Sequence, residues 1–253
     1  MAVSQYAPNQ AANITQRQPW ADMSLRDVKH LQAAMGQTGY EAGKTKGQLA
    51  HDGQYWKDTD FVGTSKSYNV NAALRNDMKS LIAGGSSWDH NGLVMDNPRN
   101  PHMGVKQIVQ SMDAGMKPLT KGVNLTRMDS ANVLKEFGIQ GDIKTMMKMS
   151  PAELNKAFYG ATRQVKQYSS AMYSEKSFSN DTFKQRDVVI QYEVRRGTHA
   201  IVTNNVKEAE IVIGRGYDQM VKSASVEYVF GQPKLVLNVV ITPDARSGYY
   251  PVK

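Results

Sequence analysis

Apolar and polar positions alternate with two different periods along this chain, and the change from one to the other divides it. Ser24 followed by Asp27 is a helix-capping pattern, and the spacing after it predicts a helix over 25–35 that stops at Gly36. Five glycines between Gly36 and Gly53 predict a loop. Val70, Ala73, Leu74, Met78 and Leu81 recur at helical spacing and predict a second helix over 69–82, ended by Gly84-Gly85-Ser86-Ser87. Val105, Ile108, Val109 and Met112 predict a third over 104–115. Ser150-Pro151-Ala152-Glu153 is a helix start, with a capping hydroxyl, proline in the first turn and a glutamate three residues after the cap.

Val123–Thr126 predicts a short strand, and from residue 187 the period of two takes over. Strands are expected at Val188–Val194, Glu210–Ile213, Val226–Phe230 and Leu235–Ile241, with a hairpin turn at Gly231-Gln232-Pro233 between the last two. Helices first and strands after predict an α+β fold with a mainly antiparallel sheet. Residues 1–20 are polar and hold Pro8 and Pro19, so they are read as a flexible arm. The expected organisation is one domain over 21–253, helical over about 21–120 and β-rich over about 121–245.

Composition narrows the chemistry. The absence of cysteine excludes disulfides and thiol nucleophiles. No apolar run approaches the ~20 residues of a membrane span, and the N-terminus lacks a basic region followed by an apolar one, so no signal peptide, no membrane and a cytoplasmic setting are expected. The net charge of +8 is concentrated after residue 100. Such a basic body suits nucleic acid, an acidic protein or a phosphate-rich ligand. Gly43-Lys44-Thr45 fails as a phosphate-binding loop because Thr38 stands where that motif needs glycine. His30, His51, His90, His102 and His199 are scattered, so no metal is expected.

The 14 methionines are expected mainly as adaptable core filling. Glu208 and Glu210 open an apolar strand. In a regular strand they would face one side, about 6.5–7 Å apart, a spacing that suits chemistry through a sugar oxocarbenium ion as well as a solvated strand entry. Taken alone, the pair decides nothing.

The order of short motifs adds to this. Asn71-Ala72-Ala73-Leu74-Arg75, then Leu125-Thr126-Arg127, Ser177-Phe178-Ser179, Phe183-Lys184-Gln185-Arg186, Arg196-Gly197-Thr198-His199-Ala200, and Glu208-Ala209-Glu210 with the exit Gly214-Arg215-Gly216 follow one another over roughly 60–241. In that order the chain resembles the toxin-like mono-ADP-ribosyltransferases of the Arg, Ser-Thr-Ser and Glu-x-Glu class. It departs from them in Phe178, which replaces the central threonine, and in Met128, where many members have glycine.

The resemblance implies NAD as substrate, no metal, and transfer of ADP-ribose to an arginine with release of nicotinamide. It implies Glu210 as the catalytic glutamate, Ser177 as the serine that orients it, and Glu208 as the carboxylate that goes with an arginine acceptor. Arg127 would contact the NAD phosphates, Met128 the nicotinamide amide through its backbone, Phe183 the nicotinamide ring, and Arg186 phosphate or adenine. Bacteriophage host-modifying members suggest host RNA polymerase or translation proteins as targets. Two other classes stay open at this point: a basic nucleic-acid-binding or virion-associated structural protein, and an NAD glycohydrolase.

Overall fold

The computed structural model describes residues 14–15, 24–36, 71, 74–75, 105–174, 181–203 and 209–249. Helix α1, Leu25–Ala34, starts at the expected cap: Asp27 N–H donates to Ser24 Oγ at 3.2 Å, and Ser24 N–H donates to Asp27 Oδ2 at 2.8 Å. Val28, Leu31 and Met35 are its buried side. Gln32 donates to the Val202 carbonyl at 2.9 Å and ties the helix to the sheet. Asn71, Leu74 and Arg75, from the expected second helix, are helical, and the rest of that helix lies outside the described residues. Helix α2 is Val105–Gly115. After it come the single turns α3, Val133–Glu136, and α4, Ile143–Met146, then α5, Pro151–Phe158, with the expected Ser150–Glu153 capping box. Among the described residues no helix is long and apolar enough to cross a membrane.

Among the described residues ten strands form one mixed sheet. In chain order they are β1 Ile14–Thr15, β2 Lys117–Pro118, β3 Gly122–Asp129, β4 Thr162–Gln164, β5 Ser169–Met172, β6 Val188–Val194, β7 His199–Val202, β8 Glu210–Ile213, β9 Asp218–Val229 and β10 Gln232–Ile241. They lie in the order β2-β7-β8-β5-β3-β6-β10-β9-β4, with β1 beside β3. The fold is α+β as expected. Pairing is mostly antiparallel, but β6–β10 and β1–β3 are parallel. Ile14–Thr15, within the segment read as an arm, pairs with Gly122 and Val123.

The hairpin turn differs from expectation. It is the two residues Phe230 and Gly231, with φ of +55° and +73°, and Pro233 lies inside β10 opposite Tyr228. Two successive left-handed residues match the twist of the strands they join.

Strand alternation gives the sheet two distinct faces. Val123 and Leu125 of β3, Ile190 and Tyr192 of β6, Ile211 and Ile213 of β8, and Leu235 and Leu237 of β10 all enter the main core, which α1, α3 and α5 complete. Met128, Met172, Val189 and Val236 form a second cluster on the opposite face, joined by Phe183. A single residue pair, Thr126 with Met172, joins β3 to β5.

Candidate active site

The junction of β3, β5 and β8 brings the chemistry together. Met172 of β5 is opposite Thr126 on one side and Glu210 on the other, so these three form a row across β3, β5 and β8. Ser170 is two residues from Met172 and shares its face. Its hydroxyl donates to Glu210 Oε1 in a short hydrogen bond. Thr203, at the end of β7, donates through Oγ1 to Glu210 Oε2 at 3.3 Å and through its N–H to the Glu210 carbonyl at 3.1 Å. Glu210 is 1% exposed. Burying a carboxylate is costly unless hydrogen bonds replace its water, and here a hydroxyl is placed on each of its oxygens.

Ala209 has φ of +44°, and its carbonyl accepts from Tyr173 N–H at 2.9 Å. A left-handed alanine costs roughly 1–2 kcal/mol, and it breaks the strand pleat. Strand β8 starts at Glu210. Glu208 lies outside the described residues.

Ser177 also lies outside the described residues. Among the described residues the serine brought to Glu210 is Ser170, which no local pattern marks: Ser169-Ser170 sits between Tyr168 and Ala171-Met172 in a strand of four residues. Four residues are too few for a period to show.

Arg127 reaches the same strand from the other side. By alternation it faces away from Met128 and Met172, its Nε donates to Asp129 Oδ2 at 2.9 Å, and its Nη1 donates to the Ser170 carbonyl at 3.0 Å. The guanidinium fork therefore braces the backbone of the serine that holds Glu210. Burial raises the Asp129 carboxyl pKa, but the Arg127 charge, the Arg127 hydrogen bond and Ser130 N–H outweigh it and hold it below the usual carboxylate value. Met128 is buried in the second cluster, and Phe183 packs against that cluster half-buried. Arg186 is exposed. The turn α6, Asp181–Lys184, carries Phe183 and ends two residues before Arg186; it is anchored where Lys234 Nζ donates to the Lys184 carbonyl at 2.7 Å.

A second network holds β5 and β8 from behind. Asn71 makes two hydrogen bonds to the Tyr168 backbone, at 3.1 and 3.2 Å. The Tyr168 hydroxyl donates to Asp113 at 2.7 Å, and burial beside that carboxylate raises its pKa well above the usual value, which keeps the hydroxyl a donor. Arg215, fully buried, donates through Nε to both Asp113 oxygens at 3.1 and 3.0 Å and stacks 4.5 Å from the Tyr249 ring centre. Gly216 has φ of +86°, and a Cβ there would lie 2.5 Å from the Tyr249 backbone, so the turn after β8 requires glycine. Arg215→Ala leaves Asp113 without its buried counter-ion, and the expected loss of stability is about 3–5 kcal/mol, measured by urea unfolding. An unchanged midpoint would show that the pair carries no stability.

Among the described residues no group of three or more metal-ligating side chains occurs. The sequence profile described as "ADP-ribosyltransferase exoenzyme" matches residues 59–243. The chain belongs to this family. As an ADP-ribosyltransferase it is an NAD-dependent enzyme that passes ADP-ribose to a target protein. Two solved structures share its fold. C3stau2 from S. aureus, determined with NAD, is 16% identical, with 87% of this chain and 96% of that one covered and a TM-score of 0.54. An ADP-ribosyltransferase from Clostridium botulinum, in a triclinic crystal form, is 14% identical, with 88% and 98% covered and a TM-score of 0.51. No curated protein matches the sequence.

The site suits the family's substrate. A buried carboxylate pinned by two neutral hydroxyls is a fixed negative group beside which positive charge can develop, and Phe183 on the same face offers an aromatic surface.

Proposed function

We propose that this ADP-ribosyltransferase modifies an arginine side chain, with Glu210 as the catalytic glutamate and Glu208 as the group that prepares the acceptor. The observation that supports it most is the pinned carboxylate of Glu210 at the start of β8, two residues after a second glutamate in the β7–β8 connection. Breaking the nicotinamide–ribose bond leaves positive charge on the ribose ring. Glu210 is held in one orientation and stabilises that oxocarbenium-like state without having to reorganise. Ser170 orients it, while Arg127 steadies the Ser170 backbone. Phe183 and Arg186 are proposed to line the NAD site from the 181–187 segment, and Met128 to present its backbone there.

A guanidinium is always protonated in water and is a poor nucleophile until a carboxylate aligns it and takes a proton, the role given to Glu208. The basic half of the molecule and the family's habits suggest a target in transcription or translation, such as a host RNA polymerase, in the cytoplasm of the cell where the enzyme is made or delivered.

The test is incubation with labelled NAD and either a bacterial lysate or agmatine, a small guanidine. Label on agmatine and on protein arginine is expected, and mass spectrometry of the labelled protein names the target. Label on protein but none on agmatine or arginine would remove the arginine assignment. Release of free ADP-ribose alone would make water the acceptor.

Ser170→Ala separates the two serines. Losing a hydrogen bond to a charged group costs about 1.5–3 kcal/mol, so NAD cleavage should fall about 10- to 100-fold. Ser177→Ala is expected to lose less than Ser170→Ala. The reverse ranking in steady-state rates would return the orienting role to Ser177.

A further inference from the structure

The row that contains Glu210 does not end at β3. Thr126 is opposite Gln191, Gln191 opposite Asn238, and Asn238 opposite Ser223. Cross-strand partners share a face, so one line of side chains runs from Glu210 over six strands to β9. At its far end is a groove of about 440 Å³ lined by Asn124, Gln191, Glu193, Lys222, Ser223 and Asn238.

The groove depends on a break in the sheet. Asn238 pairs with Ser223 and Val239 with Val221, so Lys222 is an extra residue in β9. Val221 and Ala224 both enter the main core. The bulge therefore turns Lys222 and Ser223 together onto the outer face, where Lys222 Nζ meets Glu193 Oε2 at 3.1 Å and Asn238 Nδ2 donates to Ser223 Oγ at 2.8 Å. Bulges of this kind re-aim side chains and are frequent beside active sites.

From the geometry we infer that this groove holds an extended stretch of the substrate protein, a few residues along the chain from the modified side chain. The inference rests on the transferase reading above and adds to it the surface that recognises the protein. Three arguments select this occupant. Three strand spacings separate Glu210 from Gln191, roughly 14 Å at about 4.8 Å each, which four or five residues of extended chain cover. A protein partner of ordinary size buries about 800 Å² of this enzyme, a disc of about 16 Å radius, so a partner seated at Glu210 reaches the near edge of the groove at Asn124 and Gln191. The lining is also suited to a peptide backbone. Asn124, Gln191 and Asn238 each carry a donor and an acceptor, as each peptide group does, with the Lys222–Glu193 pair at the side. The 181–187 segment packs at the other end of β3 and β6, against Met128 and Val189, which leaves the groove clear of the proposed nicotinamide side.

The experiment compares acceptors of different size, using the full chain and labelled NAD. Gln191→Leu/Asn238→Leu and, separately, Lys222→Glu are assayed with bacterial lysate protein and with agmatine, and NAD hydrolysis and the thermal midpoint are measured alongside. Labelling of lysate protein should fall about tenfold or more, as expected for two lost hydrogen bonds, while agmatine labelling, NAD hydrolysis and the midpoint stay at wild-type values. Lysate labelling at the wild-type rate in both variants overturns the inference. A parallel fall in agmatine labelling or NAD hydrolysis overturns it too, by placing the groove in the chemistry. Wild-type enzyme that labels agmatine but no protein also overturns it. If wild type labels protein but not agmatine, the arginine assignment fails, and a fall in lysate labelling against unchanged NAD hydrolysis still supports the groove.

Discussion

Glu210→Gln is expected to abolish both ADP-ribose transfer and NAD hydrolysis while the protein folds as the wild type does. The amide has nearly the shape of the carboxylate. Its carbonyl can accept from Ser170, and its NH₂ can donate to the Thr203 hydroxyl, which rotates to accept. The packing around this buried side chain is therefore kept and the charge is lost. Removing one preorganised electrostatic contact in a water-poor site typically costs about 10²–10³ in rate, and a full charge beside a developing cation should cost at least as much. The loss belongs to kcat, because the interaction strengthens as charge develops on the ribose. Steady-state turnover of labelled NAD, with circular dichroism as the folding control, makes the measurement. A folded variant within about tenfold of wild type would remove Glu210 from the chemistry.

Glu208→Gln should divide the two activities. Transfer to arginine is expected to fall about 10²–10⁴-fold, the usual effect of losing a general base, while much of the NAD hydrolysis remains. The left-handed Ala209 between the two glutamates supports this division of roles. Its left-handed backbone interrupts the extended chain just before strand β8, where Glu210 is pinned among Ser170 and Thr203. A guanidinium needs both alignment and proton removal, whereas water is small and abundant and needs neither from this carboxylate. Equal loss of both activities would assign Glu208 to bond cleavage. Surviving transfer would mean that the acceptor is not arginine or that another group prepares it.

Much of this enzyme was legible along the chain because it depends on neighbours in sequence. The Ser24–Asp27 and Ser150–Glu153 boxes are interactions three residues apart, and both form as expected. Strands β6 and β8 fall where β-branched residues gather, and β10 starts three residues before the expected stretch. Strand β9 is longer than its apolar pattern because the bulge at Lys222 and its exposed outer positions interrupt the alternation. The hairpin turn was displaced by one residue because Pro233 suggested a turn that Phe230 and Gly231 make instead.

The site was legible in part. Glu210 announced itself by its place before an apolar strand and by the order of motifs around it. Ser170 did not: two serine pairs precede Glu210, and local pattern does not rank Ser169-Ser170 against Ser177-Phe178-Ser179. Ser170 is identified by a hydrogen bond across 40 residues of sequence and by the pairing of β5 with β8. Arg127 likewise reads as a free cationic fork until β3 pairs, after which alternation turns it from the Glu210 face toward Asp129 and the Ser170 carbonyl. Capping, strand propensity and motif order are carried by short-range sterics and hydrogen bonding, so they are written in the chain itself. That Ser170 meets the glutamate, where the arginine points and which side chains share its face depend on strand register. Those were settled in three dimensions alone, because a shift of one residue in pairing sends every side chain to the opposite face.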